Sequence, residues 1–159
     1  MLVAVTVTAP FGKAEAQNGI TIIGPSHTPV NLTHGELAQL PTTQVQTNFL
    51  TEHGPHSASF EGPLLWTVLE KAGVIDLAKR PDQVSQTIMI VGRDGYHAVL
   101  ALAEIAPEFE AKQVILVERM DGTPLDADHL RMVVPLDKRG GRSVRDVVRI
   151  EVTAQPAAE

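Results

Sequence analysis

Two Asp-Gly dipeptides, Asp94-Gly95 and Asp121-Gly122, constrain this chain more than any other feature of it. Asp-Gly supplies the positive φ values that a tight reversal demands, so each marks a hairpin when β-prone runs flank it. Residues 87–91 and 97–102 read as two strands joined across Arg93-Asp94-Gly95, and residues 113–118 as a strand closed by the second turn. Residues 19–24, bounded by glycines, and residues 42–50, 131–136 and 147–153 are further short β-rich runs.

Helical signal is sparse. Thr33 stands three residues before Glu36 in capping-box spacing, ahead of Leu37 and Leu40, and Pro41 stops that helix. Residues 62–73 carry Leu65, Val68, Leu69 and Ala72 at helical spacing, with Trp66 expected in the packing and Gly73 placed to terminate. The segment 51–61 is polar, with two histidines, a glycine and a proline, and is expected to be a loop. Short strands with few helices and no regular alternation predict an α+β domain of mainly β, mixed sheets, and not a doubly wound fold.

At 159 residues and 43% hydrophobic content, the chain has the material for one domain with its own core. The expected domain covers residues 18–153, with a frayed tail at 154–159. Residues 2–11 are small and apolar, and Ala14-Glu15-Ala16 has the small-x-small spacing of a cleavage site, although no basic residue precedes it. Residues 1–17 are thus expected to be a signal remnant or a first strand, the former implying a periplasmic or secreted protein. No apolar run is long enough to span a bilayer. With one Trp, one Tyr and a net charge of −6, neither a base-stacking platform nor a phosphate-binding surface is expected, which argues against nucleic acid as a partner. The absence of cysteine excludes disulfides, thiol catalysis and thiolate metal sites.

Two clusters carry potential chemistry. His53 and His56 follow Glu52, close to Ser57 and Ser59; two histidines fall short of the ligand set of a zinc site, and no metal ligand is assigned. Lys138, Arg139 and Arg142, spaced by Gly140-Gly141, begin a basic stretch continued by Arg145 and Arg149, and residues 137–149 sum to +3 in an acidic chain. Guanidinium forks and glycine amides of this kind clamp anions, although a basic hairpin face held only by solvent has the same pattern. Arg93 and Tyr96 flank the first Asp-Gly turn, where they are placed to face a cleft, and His97 begins a strand.

Five segments in order, over roughly residues 18–152, resemble the molybdopterin-binding domain of the sulfite oxidase family. They are Leu32-Thr33 through Leu37 and Pro41; Gly62-Pro63-Leu64-Leu65 with Val68-Leu69 and Ala72-Gly73; Gly92-Arg93-Asp94-Gly95-Tyr96; Asp121-Gly122-Thr123-Pro124-Leu125; and Leu130-Arg131-Met132-Val133-Val134-Pro135. Ser143-Val144 and Ile150-Glu151-Val152 close the pattern. The resemblance implies a pterin whose phosphate is gripped near residues 138–142, with Arg131 lining its cleft. It also implies a molybdenum-ligating cysteine near Leu50, which this chain lacks. The expected function is therefore a binding module on this fold, for an anionic small molecule or a protein partner, without thiolate-ligated molybdenum catalysis. Its site would comprise His53, His56, Arg93, Tyr96, Arg131, Lys138, Arg139 and Arg142. The alternative is a molybdopterin-dependent oxidoreductase with a non-cysteine metal environment, which His53, His56 or water would provide.

Overall fold

The structure, a computed structural model, describes residues 19–154. The expectations for residues 1–17, and for the tail beyond residue 154, lie outside the described residues. In chain order the elements are β1 (Gly19–Ile23), β2 (Pro29–Thr33), α1 (His34–Leu37), β3 (Thr42–Thr51), β4 (Gly54–Pro63), α2 (Leu65–Lys71), α3 (Arg80–Ser85), β5 (Gln86–Gly92), β6 (His97–Ala101), α4 (Leu102–Ile105), β7 (Ile115–Val117), β8 (Arg119–Met120), β9 (Thr123–Pro124), β10 (Arg131–Val133) and β11 (Val147–Ala154). This is the mixed-sheet α+β architecture that the turn pattern predicts.

Three sheets are formed, in the orders β2-β1-β11-β5-β6, β3-β4-β8-β9 and β10-β7. The β1–β11 pair is parallel and brings the two ends of the domain together; the other pairings are antiparallel. Alternation decides what the large sheet buries: along β5, Ile88 and Ile90 point inward while Thr87, Met89 and Val91 are half exposed. Ile20, Ile22, Leu100 and Ile150 join them from neighbouring strands, and α2 lays Leu65, Val68 and Leu69 on the same core. Each such side chain, fully buried, contributes roughly 1.5–3 kcal/mol. A second cluster, Val45, Phe49, Ala58, Phe60, Ile115, Val117 and Val133, lies beneath the β3–β4 hairpin.

The Asp121-Gly122 turn is as expected: both residues have positive φ, 50° and 77°, and they link β8 directly to β9. The Thr33–Glu36 capping box is present in full.

The expected loop at 51–61 is instead the turn and most of β4. Only Glu52-His53 reverse the chain, and β4 pairs with β3 over ten residues, Thr42↔Pro63 to Thr51↔Gly54. One face of this hairpin meets solvent, so half of β4 is polar; Ala58 and Phe60 are buried while His56, Ser57 and Glu61 are not. The helix expected at 62–73 starts only at Leu65, because Gly62 and Pro63 still belong to β4. A Cβ on Gly62 would sit 2.0 Å from the Leu116 carbonyl oxygen, so glycine there permits the close approach of β4 to β7. Helices α3 and α4 are additional to the sequence expectation; they have six and four residues, too few to show a periodic apolar stripe.

Candidate functional site

The site is built around Arg131, the first residue of β10, which pairs with Val117 of β7. The segment after the basic loop runs back alongside β10: the Met132 amide donates to the Val144 carbonyl at 2.8 Å and the Val147 amide to the Leu130 carbonyl at 2.9 Å. These two bonds set Arg145 beside Arg131. The guanidinium carbon of Arg131 lies 5.3 Å from the centroid of Phe60, a cation–π contact. Its Nε is buried and has no hydrogen-bond partner. Burial and the like charge of Arg145 hold the Arg131 guanidinium below its ordinary pKa. Among the described residues, neither arginine has a carboxylate partner in an ion pair.

A second orphan lies on β3. Thr47 alternates with Val45 and Phe49 toward the core, is paired with Ala58, and has a buried hydroxyl without a partner. Buried polar groups nearly always find a partner, so each orphan marks a position suited to a polar ligand.

The basic loop is held from two sides. The Leu50 amide donates to the Lys138 carbonyl at 2.8 Å, and the Tyr96 hydroxyl donates to the Gly141 carbonyl at 2.5 Å. Between them Asp94, Tyr96, Gly140, Ser143 and Arg145 line a 210 Å³ cavity. The Asp94 carboxylate is turned to the backbone, its Oδ1 accepting from the Tyr96 amide at 2.9 Å.

The eight residues singled out by sequence are only partly gathered. Tyr96 and Arg131 are at the site, and Lys138 and Arg139 are exposed on the loop above it. Arg142 is engaged elsewhere: its Nε and Nη2 donate to Asp137 at 2.9 and 2.7 Å, and its Nη1 to Glu104 at 3.1 Å. Arg93 donates to the Asp128 carbonyl at 3.0 Å. His53 is in the β3–β4 turn, and His56 is exposed on β4 opposite Phe49. His97 is exposed at the start of the edge strand β6, and Trp66 is buried as expected. Among the described residues, no three His, Asp or Glu side chains converge to hold a metal. Arg145 and Thr47 were not singled out as site residues; the signal for Arg145 was its place in the basic stretch, and Thr47 carried none.

The sequence profile described as "Oxidoreductase molybdopterin binding domain" matches residues 9–159. The chain belongs to this family. Among solved structures it is similar to the sulfane dehydrogenase SoxCD from Paracoccus pantotrophus, at 18% identity and a TM-score of 0.68. The alignment covers 90% of this chain and 40% of that one, so this domain spans less than half of its structural relative. At that identity the likeness establishes the fold alone. No curated protein matches.

Family membership implies a molybdenum–pterin cofactor, and the residues here do not fit one held in the family's manner. The family resemblance puts the ligating thiolate near Leu50, and no cysteine exists in the chain. Arg142 is already neutralised by Asp137 and Glu104. The 210 Å³ cavity under the loop is smaller than the roughly 300–1,000 Å³ typical of pockets for organic ligands of cofactor size.

Proposed function

We propose that this domain is a binding module that uses the molybdopterin-domain fold to hold a small anion beside Arg131 and Arg145, without thiolate-ligated molybdenum chemistry. The observation that carries the reading is the pair itself: two adjacent arginines lacking a carboxylate, one with a buried and unpartnered Nε. Leaving the buried Arg131 Nε without an acceptor costs free energy, and an anion that accepts from Arg131 and Arg145 offsets that cost. Ser143 and Tyr96 border the cavity that Arg145 lines and restrict a ligand there to a compact head such as an inorganic oxyanion or a carboxylate. Glycines at 140 and 141 leave backbone free of side chains along its rim.

Thermal melts in phosphate and in chloride of equal ionic strength test this. A ligand that binds only the folded state raises the midpoint with its concentration. The expected result is a phosphate-specific rise in the wild type that is lost in Arg145→Gln; equal midpoints in the two salts would refute the reading.

The family match favours a second reading, a molybdopterin-dependent oxidoreductase with a non-cysteine metal environment. Stoichiometric molybdenum and pterin in protein from a cofactor-making host would establish it. Absence of both after such expression would remove it.

A further inference from the structure

Among the described residues, the free edge of β3 is the longest strand edge that no other strand covers. β3 is terminal in its sheet, and the Glu52-His53 turn fixes its hydrogen-bond phase. Val45, Thr47 and Phe49 exchange bonds with β4, so Gln44, Gln46, Asn48 and Leu50 direct their N–H and C=O groups outward. The Leu50 amide follows this phase, donating to Lys138. Gln44, Gln46 and Asn48 have no main-chain partner on that side among the described residues.

Edge strands are ordinarily guarded by charge, proline, a bulge or brevity. β3 has none of these: its ten residues, TTQVQTNFLT, contain no charged side chain and no proline, and its register with β4 is unbroken. The edges of the large sheet differ, since β2 and β6 have five residues each and β2 begins with a proline. Beside the β3 edge runs a 440 Å³ groove whose lining includes Gln44, Gln46, Ala111, Gln113, Pro135 and Leu136. Leu136 is 89% exposed with φ of 70°, a conformation rare for leucine that leaves its side chain in solvent on the groove's rim.

We propose that this edge is a homodimer interface, in which β3 strands of two copies pair antiparallel across a two-fold axis at Gln46. A second copy is the occupant that the sequence of the edge fits. About Gln46 the outward rungs are self-complementary, with Gln44 opposite Asn48 of the other copy and Gln46 opposite itself. These central pairs are then amide on amide, and no like charges are opposed along the strand. The pairing satisfies three rungs of each copy at once and covers the groove in which Leu136 is exposed. It uses neither Arg131 nor Arg145 and stands apart from the anion reading.

Light scattering on the full chain is expected to give twice the 17.1 kDa chain mass, and Gln46→Lys, which opposes two ammonium groups at the axis, a single chain mass. Opposed residues in such a pair lie about 5.5 Å apart at Cα, within disulfide reach. Gln46→Cys in this cysteine-free chain is therefore expected to form a covalent dimer on mild oxidation, seen on a non-reducing denaturing gel, and the exposed Ser26→Cys control to stay without a cross-link there. A wild type that is monomeric at every concentration, a Gln46→Lys variant that still dimerises, or cross-linking of Ser26→Cys as readily as Gln46→Cys would overturn the proposal.

Discussion

Arg131 stands over Phe60, its guanidinium carbon 5.3 Å from the ring centroid, while its buried Nε has no acceptor. The ring and the strand pairing hold the arginine in place, and no carboxylate among the described residues forms an ion pair with it. Such an arrangement costs folding free energy in the empty protein and is recovered when a ligand accepts from it.

Replacing the charge with an apolar chain of similar length removes that cost. Arg131→Met is expected to leave the stability of the ligand-free domain unchanged or raise it by about 1 kcal/mol, despite loss of the cation–π contact. The same variant is expected to lose the phosphate-dependent rise in melting midpoint. Denaturant unfolding with and without phosphate reads both effects.

Arg142 is expected to behave in the opposite way. It joins Asp137 to Glu104, which also receives Lys112 Nζ at 2.9 Å, and these groups are partly buried. Arg142→Ala leaves both carboxylates short of a partner, and is expected to cost about 1–3 kcal/mol while changing phosphate affinity little. Urea midpoints and a phosphate titration separate the two readouts.

The same cluster gives the domain an acid limb. Burial pushes the Glu104 carboxyl up, but hydrogen bonds from Lys112, the Ala101 amide and Arg142 outweigh it, so that its pKa is held below the ordinary glutamate value. A depressed carboxylate adds stability above its unfolded pKa and loses it as pH falls through the folded one. Stability is therefore expected to decline below the ordinary carboxylate range, and Glu104→Gln to decline less over that interval, in melts taken as a pH series.

His129 titrates in the other direction. Its Nδ1 lies 2.6 Å from Asp146 Oδ1, and the hydrogen bond and charge of that carboxylate raise its pKa. The pair's contribution is complete below the ordinary histidine value and is lost as pH rises through the raised one. Ring-proton NMR is expected to show the His129 midpoint falling in Asp146→Asn. Asn also tolerates the positive φ of 50° at that position.

Much of this architecture was legible because it rests on local rules. The Asp121-Gly122 reversal and the Thr33–Glu36 cap each need only residues a few places apart. β4 was missed because histidine, glycine and proline near the turn obscured its two-residue period, although Ser57, Ala58, Ser59 and Phe60 alternate as a half-buried strand does. The site was less legible for a different reason. Arg142 is claimed by Glu104, 38 residues away, and Arg145 is left free by the path of the chain between residues 142 and 147; neither fact has a sequence period.

Gly62 lets the backbones of β4 and β7 approach closely. Gly62→Ala places a methyl group against the Leu116 carbonyl, and the two strands must separate to admit it. The expected cost is about 2–4 kcal/mol by denaturant unfolding, in the range of severe overpacking.

The most direct measurement is the NMR signal of the Arg131 side-chain Nε–H, followed as inorganic phosphate is added to isotope-labelled protein. A buried donor that gains an anionic acceptor shifts downfield and exchanges more slowly with water. The account predicts a saturable downfield shift of that resonance which disappears in Arg145→Gln. An Nε–H signal that phosphate leaves unmoved, at concentrations that perturb only the exposed Lys138 and Arg139, would contradict it.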